Sequence, residues 1–244
     1  MNSKEKVLIF AHRGASNLAP ENTLKAFKKA IELKADYIEF DVHQSKDGEI
    51  VIMHDANTFR TTGHSGIIEK MTLEELKELD CGDDEKIPTL EELVKLAKGK
   101  IGLNCEIKAK GIAQKIIEII KEADLFESTI ISSFKQKELL KIKNLEPRLK
   151  IASLNPTRTG WILNWFSRKK MIKTAEENKF YAINPLYLVV NKKFIDKAHE
   201  KNIKVFPWTV DSITAIENLI KKGVDGIITN NISRAKEVLN KLYN

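Results

Sequence analysis

Two pairs of acidic and basic residues stand out by their spacing. Glu39 and Asp41 lie two apart in an apolar run, as do Glu106 and Lys108. Residues two apart on a strand point to one face, and a central parallel strand is normally apolar on both faces. Ionised carboxylates there repel one another unless protons or a divalent cation neutralise them. Hard oxygen ligands with no cysteine or histidine cluster favour Mg²⁺ or Ca²⁺ over Zn²⁺. A second reading is a structural charge network in which Lys108 and Arg13 pair with the acids. His12 and His54 form the natural proton-transfer pair, because imidazole titrates near neutral pH. Arg13 and Gly14 follow His12 directly; arginine offers a planar donor fork for phosphate oxygens, and glycine permits close backbone approach. His43, His64 and His199 read as packed or surface histidines.

Positioning these groups requires a repeated strand–helix unit. Strand candidates are Val7–Ala11, Asp36–Val42, Ile101–Ile107, Thr129–Ser133, Lys150–Leu154, Tyr181–Asn184, Lys204–Val210 and Gly226–Thr229. Helix-like stretches separate them, as at Ile112–Ala123, where Ile112, Ile116, Ile119 and Ile120 share a face. Eight alternations with no G-x-G-x-x-G after the first strand point to an α/β fold of the (β/α)₈ TIM-barrel type. The reactive residues then fall at the carboxyl ends of the strands, where such barrels carry their chemistry. The rhythm breaks between about residues 55 and 88, which reads as a small insertion after the second strand within one domain spanning 1–244.

Composition excludes several classes. Hydrophobic content of 42% and charged content of 31% suit a soluble globular chain. No apolar run reaches the roughly 20 residues needed to span a bilayer, and the N-terminus has no secretory pattern, so a cytoplasmic location is expected. The net charge of +7 is spread along the whole length, often beside glutamates. Nucleic-acid binding would call for a concentrated basic stripe or a known motif, so no nucleic-acid partner is expected. Cys81 and Cys105 have no metal-site spacing.

The runs A-H-R-G-A-S-N-L-A-P-E-N-T from Ala11 and I-E-F-D-V-H-Q-S-K-D-G-E-I-V-I-M-H-D from Ile38 closely resemble the glycerophosphodiester phosphodiesterase family. So do K-I-P-T-L-E-E from Lys86, L-N-C-E-I-K from Leu103, S-S-F from Ser132, W-T-V-D from Trp208 and G-V-D-G-I-I-T from Gly223. The resemblance implies that Glu39, Asp41 and Glu106 bind one divalent cation, with His12 and His54 as general acid and base in an unassigned order. It implies that Arg13 and Lys108 contact phosphate and that Trp208 borders the substrate. Glu21 and Asn22 would sit near the site, Asn22 also helping to start the first helix. The implied reaction splits a glycerophosphodiester into glycerol 3-phosphate and an alcohol, the substrate's own glycerol 2-hydroxyl serving as nucleophile to give a cyclic phosphate that water then opens. Two positions depart from the pattern. Cys105 stands for an aliphatic residue and should face away from Glu106. Asn230 stands for an aspartate, which puts support of the last loop in question.

Two other readings stay open. Trp161, Ile162, Trp165 and Phe166 form an apolar stripe followed by Arg168, Lys169 and Lys170. That stripe is either the buried face of a barrel helix or a lip that rests on a membrane surface, the latter fitting a lysophospholipase D-type substrate. The third reading is an inactive barrel serving as a binding module, which the complete set of acids and histidines disfavours.

Overall fold

The computed structural model describes residues 6–155 and 165–243, with side chains at 165–167 not described. The apolar stripe at Trp161–Phe166 therefore lies outside the described residues and side chains. The strands are β1 (Leu8–His12), β2 (Tyr37–Gln44), β3 (Ile50–Ile52), β4 (Gly102–Ile107), β5 (Thr129–Ser133), β6 (Lys150–Asn155), β7 (Ala182–Pro185), β8 (Lys204–Val205) and β9 (Gly226–Thr229). All but β3 are parallel, in the order β8-β7-β6-β5-β4-β2-β1-β9, while β3 pairs antiparallel with β2. Val210 N–H donates to Ile228 O (3.0 Å) and Ile228 N–H to Pro207 O (3.0 Å), joining the two ends of the order into a barrel.

The strand expected to run to Val210 is regular only to Val205. Pro207 has no N–H to give its neighbour, although Phe206 and Trp208 still donate to Ile183 and Pro185 at 3.0 Å. The helices are α1 (Leu24–Glu32), α2 (Phe59–Thr62), α3 (Leu73–Glu78), α4 (Leu90–Ala97), α5 (Ala113–Glu122), α6 (Gln136–Leu145), α7 (Trp165–Glu177), α8 (Lys192–His199), α9 (Ile213–Lys222) and α10 (Ile232–Tyr243). Several begin where a side chain accepts from an orphan N–H. Thr72 and Thr89 form reciprocal capping boxes with Glu75 and Glu92. Thr23, not Asn22, caps α1 by accepting from Ala26 N–H.

Outward strand residues and the inner helix faces make the larger core, which includes Phe27, Phe40, Cys105, Ile116 and Ile131. Cys105 thus packs away from its neighbour Glu106, as expected. Inside the barrel a smaller cluster combines Phe10 and Phe206 with Ala152, Ala182, Ile130 and Ile228. Alternating large and small side chains fill a lumen of this diameter, with Phe10 and Phe206 ring centroids 4.7 Å apart. That apolar plug is the floor on which the polar site stands. Beneath the segment inserted after β3, a third cluster of Val51, Met53, Ile68, Leu76, Cys81 and Ile87 fixes the segment to the barrel.

Candidate active site

Register builds the site. His12 is the Cα partner of Glu39, and Asp41 is the partner of Glu106 on the adjacent parallel strand. These residues all face the lumen at the carboxyl ends of β1, β2 and β4. One oxygen from each of Glu39, Asp41 and Glu106 lies within 4.8 Å of the others, and all three residues are buried.

The loop after β1 is bent to serve this cluster. Arg13 adopts φ +55°, a left-handed conformation that costs a non-glycine residue roughly 1–2 kcal/mol, and its N–H donates to Glu39 Oε2 at 3.0 Å. Gly14, at φ +80°, lies so close to α1 that a Cβ would meet Ala26 Cβ at 2.8 Å. Asn22 is left-handed as well (φ +58°). Its side chain donates to Asp41 Oδ2 at 3.0 Å instead of capping α1. Backbone strain gathered on one loop is common where a site is held in shape.

Two cations enter the acid cluster. Lys108 Nζ lies 3.0 Å from Asp41 Oδ1 and 2.6 Å from Glu106 Oε1. Arg13 Nε lies 3.4 Å from Asp41 Oδ2. The charge network imagined from sequence therefore exists, but it satisfies only one acid. Burial would raise the Asp41 carboxyl, yet Lys108 and Arg13 outweigh it and hold the group well below the usual range. Burial, then repulsion from Asp41, pushes Glu106 up to about 7. Burial and the charges of Asp41 and Glu106 push Glu39 well above its ordinary value. Two carboxylates thus remain costly to ionise, which is the environment a divalent cation relieves. The buried acidic trio fits a hard cation.

The histidines flank the trio with different supports. His12 Nε2 lies 3.9 Å from Glu39 Oε2, and its Nδ1 lies 2.7 Å from Asn230 Oδ1. Burial and the Arg13 charge lower His12 to about 4, so its ring is neutral near pH 7. His54 Nδ1 lies 2.7 Å from Asp55 Oδ1, whose other oxygen accepts from Arg60 Nε at 2.5 Å. Arg60 and Arg13 both donate to Glu21 Oε1, at 2.6 and 3.0 Å, tying α2 to the loop after β1. His43, read as a packed histidine, is buried with Nε2 3.2 Å from the His54 carbonyl. His64 and His199 are exposed.

Trp208 is half-buried on the far wall, where its Nε1–H donates to Asn184 O at 2.8 Å. It meets the Phe134 ring edge-on, with centroids 5.6 Å apart. Lys108 Nζ is 6.0 Å from the same ring centroid, so Phe134 joins the tryptophan wall to the acidic wall. Phe134 stands in a sequence motif that assigned it no role, and neither Arg60 nor the contact between Asn230 and His12 was visible in the sequence. The support doubted at Asn230 is present: the asparagine holds His12 across 218 residues of chain.

The metal-free protein should show these shifts in its stability. Glu106 and Glu39 keep protons in the fold that the unfolded chain has released, so their contribution is full below about pH 4.5 and declines as pH rises through the folded values. The histidines, lowered by burial, act oppositely but only up to their ordinary value of 6.5. Between about pH 6.5 and 8, therefore, Tm in EDTA should fall, and the gain on adding excess Mg²⁺ should grow. A metal-free Tm that rises across that window would show that the acids ionise freely in the fold.

Among the described residues, no helix is long and apolar enough to cross a membrane. Comparison with known proteins places the chain in a family. The model of the glycerophosphoryl diester phosphodiesterase family matches residues 12–234. A glycerophosphodiester phosphodiesterase of Caldanaerobacter subterraneus subsp. tengcongensis is 41% identical over 237 residues, covering 92% of this chain and 94% of its own. The glycerophosphodiester phosphodiesterase of Thermotoga maritima superposes with a TM-score of 0.80 at 30% identity, over 98% of this chain and 100% of that one. An Oleispira antarctica phosphodiesterase, solved with the product sn-glycerol-3-phosphate, gives 0.84 at 26% identity over 96% of each chain. Sequence, fold and the matched span agree: this chain belongs to the glycerophosphoryl diester phosphodiesterase family and is an enzyme of that class.

Proposed function

We propose that the protein hydrolyses glycerophosphodiesters to glycerol 3-phosphate and an alcohol. Glu39, Asp41 and Glu106 would hold one divalent cation, Mg²⁺ or Ca²⁺, and His12 and His54 would transfer the protons. The observation that carries this reading is the convergence of three buried carboxylates, two of them resisting ionisation, between two imidazoles. The product found with the Oleispira antarctica relative supports the identity of the product here.

When bound, the cation supplies Lewis-acid polarisation of the nonbridging phosphate oxygens and offsets charge gained at phosphorus. The remaining work belongs to the chain. Arg13 and Lys108 are the donors for phosphate. Lys108 now bridges Asp41 and Glu106, and with a cation held among the acids its ammonium would be free for the substrate. One imidazole removes the proton of the glycerol 2-hydroxyl as its oxygen attacks phosphorus, and the other protonates the departing alkoxide; water then opens the resulting cyclic phosphate to glycerol 3-phosphate. Trp208 and Phe134 offer an apolar wall for the carbon skeleton.

Incubation with glycerophosphocholine tests the proposal. Glycerol 3-phosphate and choline should appear in equal amounts with Mg²⁺ or Ca²⁺, and EDTA should stop their release. Undiminished release in EDTA would contradict the metal role, and release of choline phosphate instead would contradict the bond assignment.

One observation favours a second reading, a lysophospholipid substrate taken at a membrane surface. Leu18, Phe59, Leu188 and Ile213 are 52%, 61%, 68% and 47% exposed. All four lie on segments that follow β1, β3, β7 and β8, at the end of the barrel where the site opens. Apolar side chains at such a rim suit the lipid boundary. Flotation with anionic vesicles, and loss of flotation in a Phe59→Ser/Leu188→Ser variant, are the expected results; a protein that stays with the unbound fraction removes this reading.

A further inference from the structure

His12 is held by an amide whose own orientation is imposed from behind. Two donors of Asn230 converge on Asp211: the backbone N–H reaches Oδ1 at 2.8 Å and Nδ2 reaches Oδ2 at 2.7 Å. The Thr229 hydroxyl donates to Oδ1 as well, at 2.9 Å. A carboxylate has two acceptor oxygens for such an array, whereas a side-chain amide has only one. With Nδ2 committed to Asp211, the amide must present Oδ1 to the His12 ring. Ser16 closes the fourth side, its hydroxyl lying 2.9 Å from both Asn230 Oδ1 and the His12 carbonyl.

An amide oxygen cannot donate, so at 2.7 Å from Nδ1 it requires the ring proton to sit on Nδ1. The neutral ring then carries its lone pair on Nε2, the nitrogen that faces the acidic cluster. We infer that Asp211 is a positioning residue for the reaction: by orienting Asn230 it fixes His12 as the Nδ1–H tautomer and leaves Nε2 to accept a proton. Asp211 touches neither His12 nor the acid trio among its described contacts, and it acts through Asn230. The inference rests on the reading of His12 as a proton-transfer group and assigns it the base role in the first step. His54 then supplies the proton to the leaving alkoxide, its Nδ1 already facing the Asp55 carboxylate that steadies an imidazolium.

The test uses histidine-¹⁵N-labelled protein saturated with Mg²⁺, with the His12 signals identified by their absence in His12→Gln. Wild-type protein should show His12 protonated on Nδ1 at neutral pH. In Asp211→Asn one oxygen remains for three donors: it can keep the Asn230 N–H and the Thr229 hydroxyl, and the new amide nitrogen then faces Asn230 Nδ2. The Asn230 amide should turn, present its NH₂ group to Nδ1, and drive the ring proton to Nε2. The wrong tautomer costs about 10⁴-fold in a serine protease, so kcat should fall by roughly 10²–10⁴ while KM stays within about threefold.

The exchange Asp211→Asn/Asn230→Asp is the rescue. The amide introduced at 211 can donate to the carboxylate introduced at 230 and accept from Thr229, and the new carboxylate still accepts from Nδ1–H. It should restore the Nδ1–H signal and bring kcat to within about tenfold of wild type. If Asp211→Asn proves too unstable to label, the exchange variant decides alone by the same two readouts. An Nδ1–H signal with full activity in Asp211→Asn, or an Nε2–H signal in wild type, overturns the inference. The tautomer is read without turnover. A His12→Ala enzyme that stays active would therefore defeat the base role while leaving the Asp211–Asn230 orientation standing.

Discussion

Replacing His12 or His54 by alanine should lower kcat by roughly 10²–10⁴, with the folded structure retained. The expectation follows from position, because each ring flanks the acid cluster and neither belongs to the packed core. His12 Nε2 is 3.9 Å from Glu39, and its loss removes a ring held at Nδ1 by Asn230. His54 is about one-third exposed, 31% for its side chain, so truncating it leaves a solvated notch with no dry cavity. Tm should therefore change little in His54→Ala and somewhat more in His12→Ala. The two variants should differ in one respect. An activated phosphodiester with a nitrophenolate leaving group needs no protonation as it departs, so the variant lacking the general acid should regain much of its rate on that substrate. His54→Ala is expected to be that variant. Equal defects on both substrates would contradict the division of labour, and a fully active variant would eliminate that histidine from the mechanism.

Asp41→Asn should abolish the response to added metal and reduce stability by about 3 kcal/mol. Asp41 is 1% exposed and accepts from Lys108, Asn22 and, at longer range, Arg13. Removing one member of a buried ion pair leaves the other charge uncompensated, at a typical cost of 3–5 kcal/mol. The lower end applies for two reasons. Lys108 and Arg13 retain some solvent contact, and Glu106 and Glu39 lose a repulsive neighbour and can ionise more readily in compensation. The effect should itself depend on pH. The folded Asp41 carboxyl lies below its unfolded value; its stabilisation is present above the unfolded value and is lost as pH falls through the folded one. Urea denaturation should therefore show the gap between wild type and Asp41→Asn narrowing in acid. A gap that persists unchanged to low pH would mean that the lost energy is packing and not charge.

The barrel was legible because its units are local. Periodicity places α4 at Leu90–Ala97 and β5 at Thr129–Ser133, and the structure has both with those bounds. The two-residue spacing of Glu39 and Asp41 was enough to put both on one face, and parallel register then sets Asp41 beside Glu106. What sequence could not supply is who supports whom across the barrel. Asn22 looked like a helix start because asparagine favours that position; Thr23 takes the cap and frees Asn22 to bind Asp41. Asn230 looked like a weakened loop because only its identity was visible. Its partner His12 lies at the other end of the chain, and the Asp211 carboxylate that orients it comes from a third segment. Arg60 likewise sits in the inserted segment, legible only as a break in the strand–helix rhythm, yet it joins Asp55 to Glu21. Such long-range hydrogen bonds leave no periodic trace.

The proposed chemistry depends on one cation held by three side chains. A crystal grown with Ca²⁺ and measured for anomalous scattering tests that claim most directly. One strong peak should lie among Glu39, Asp41 and Glu106, within about 2.3–2.6 Å of an oxygen from each, and Lys108 should have withdrawn from between Asp41 and Glu106. Carboxylates still bridged by Lys108, with no peak among them at saturating Ca²⁺, would contradict it.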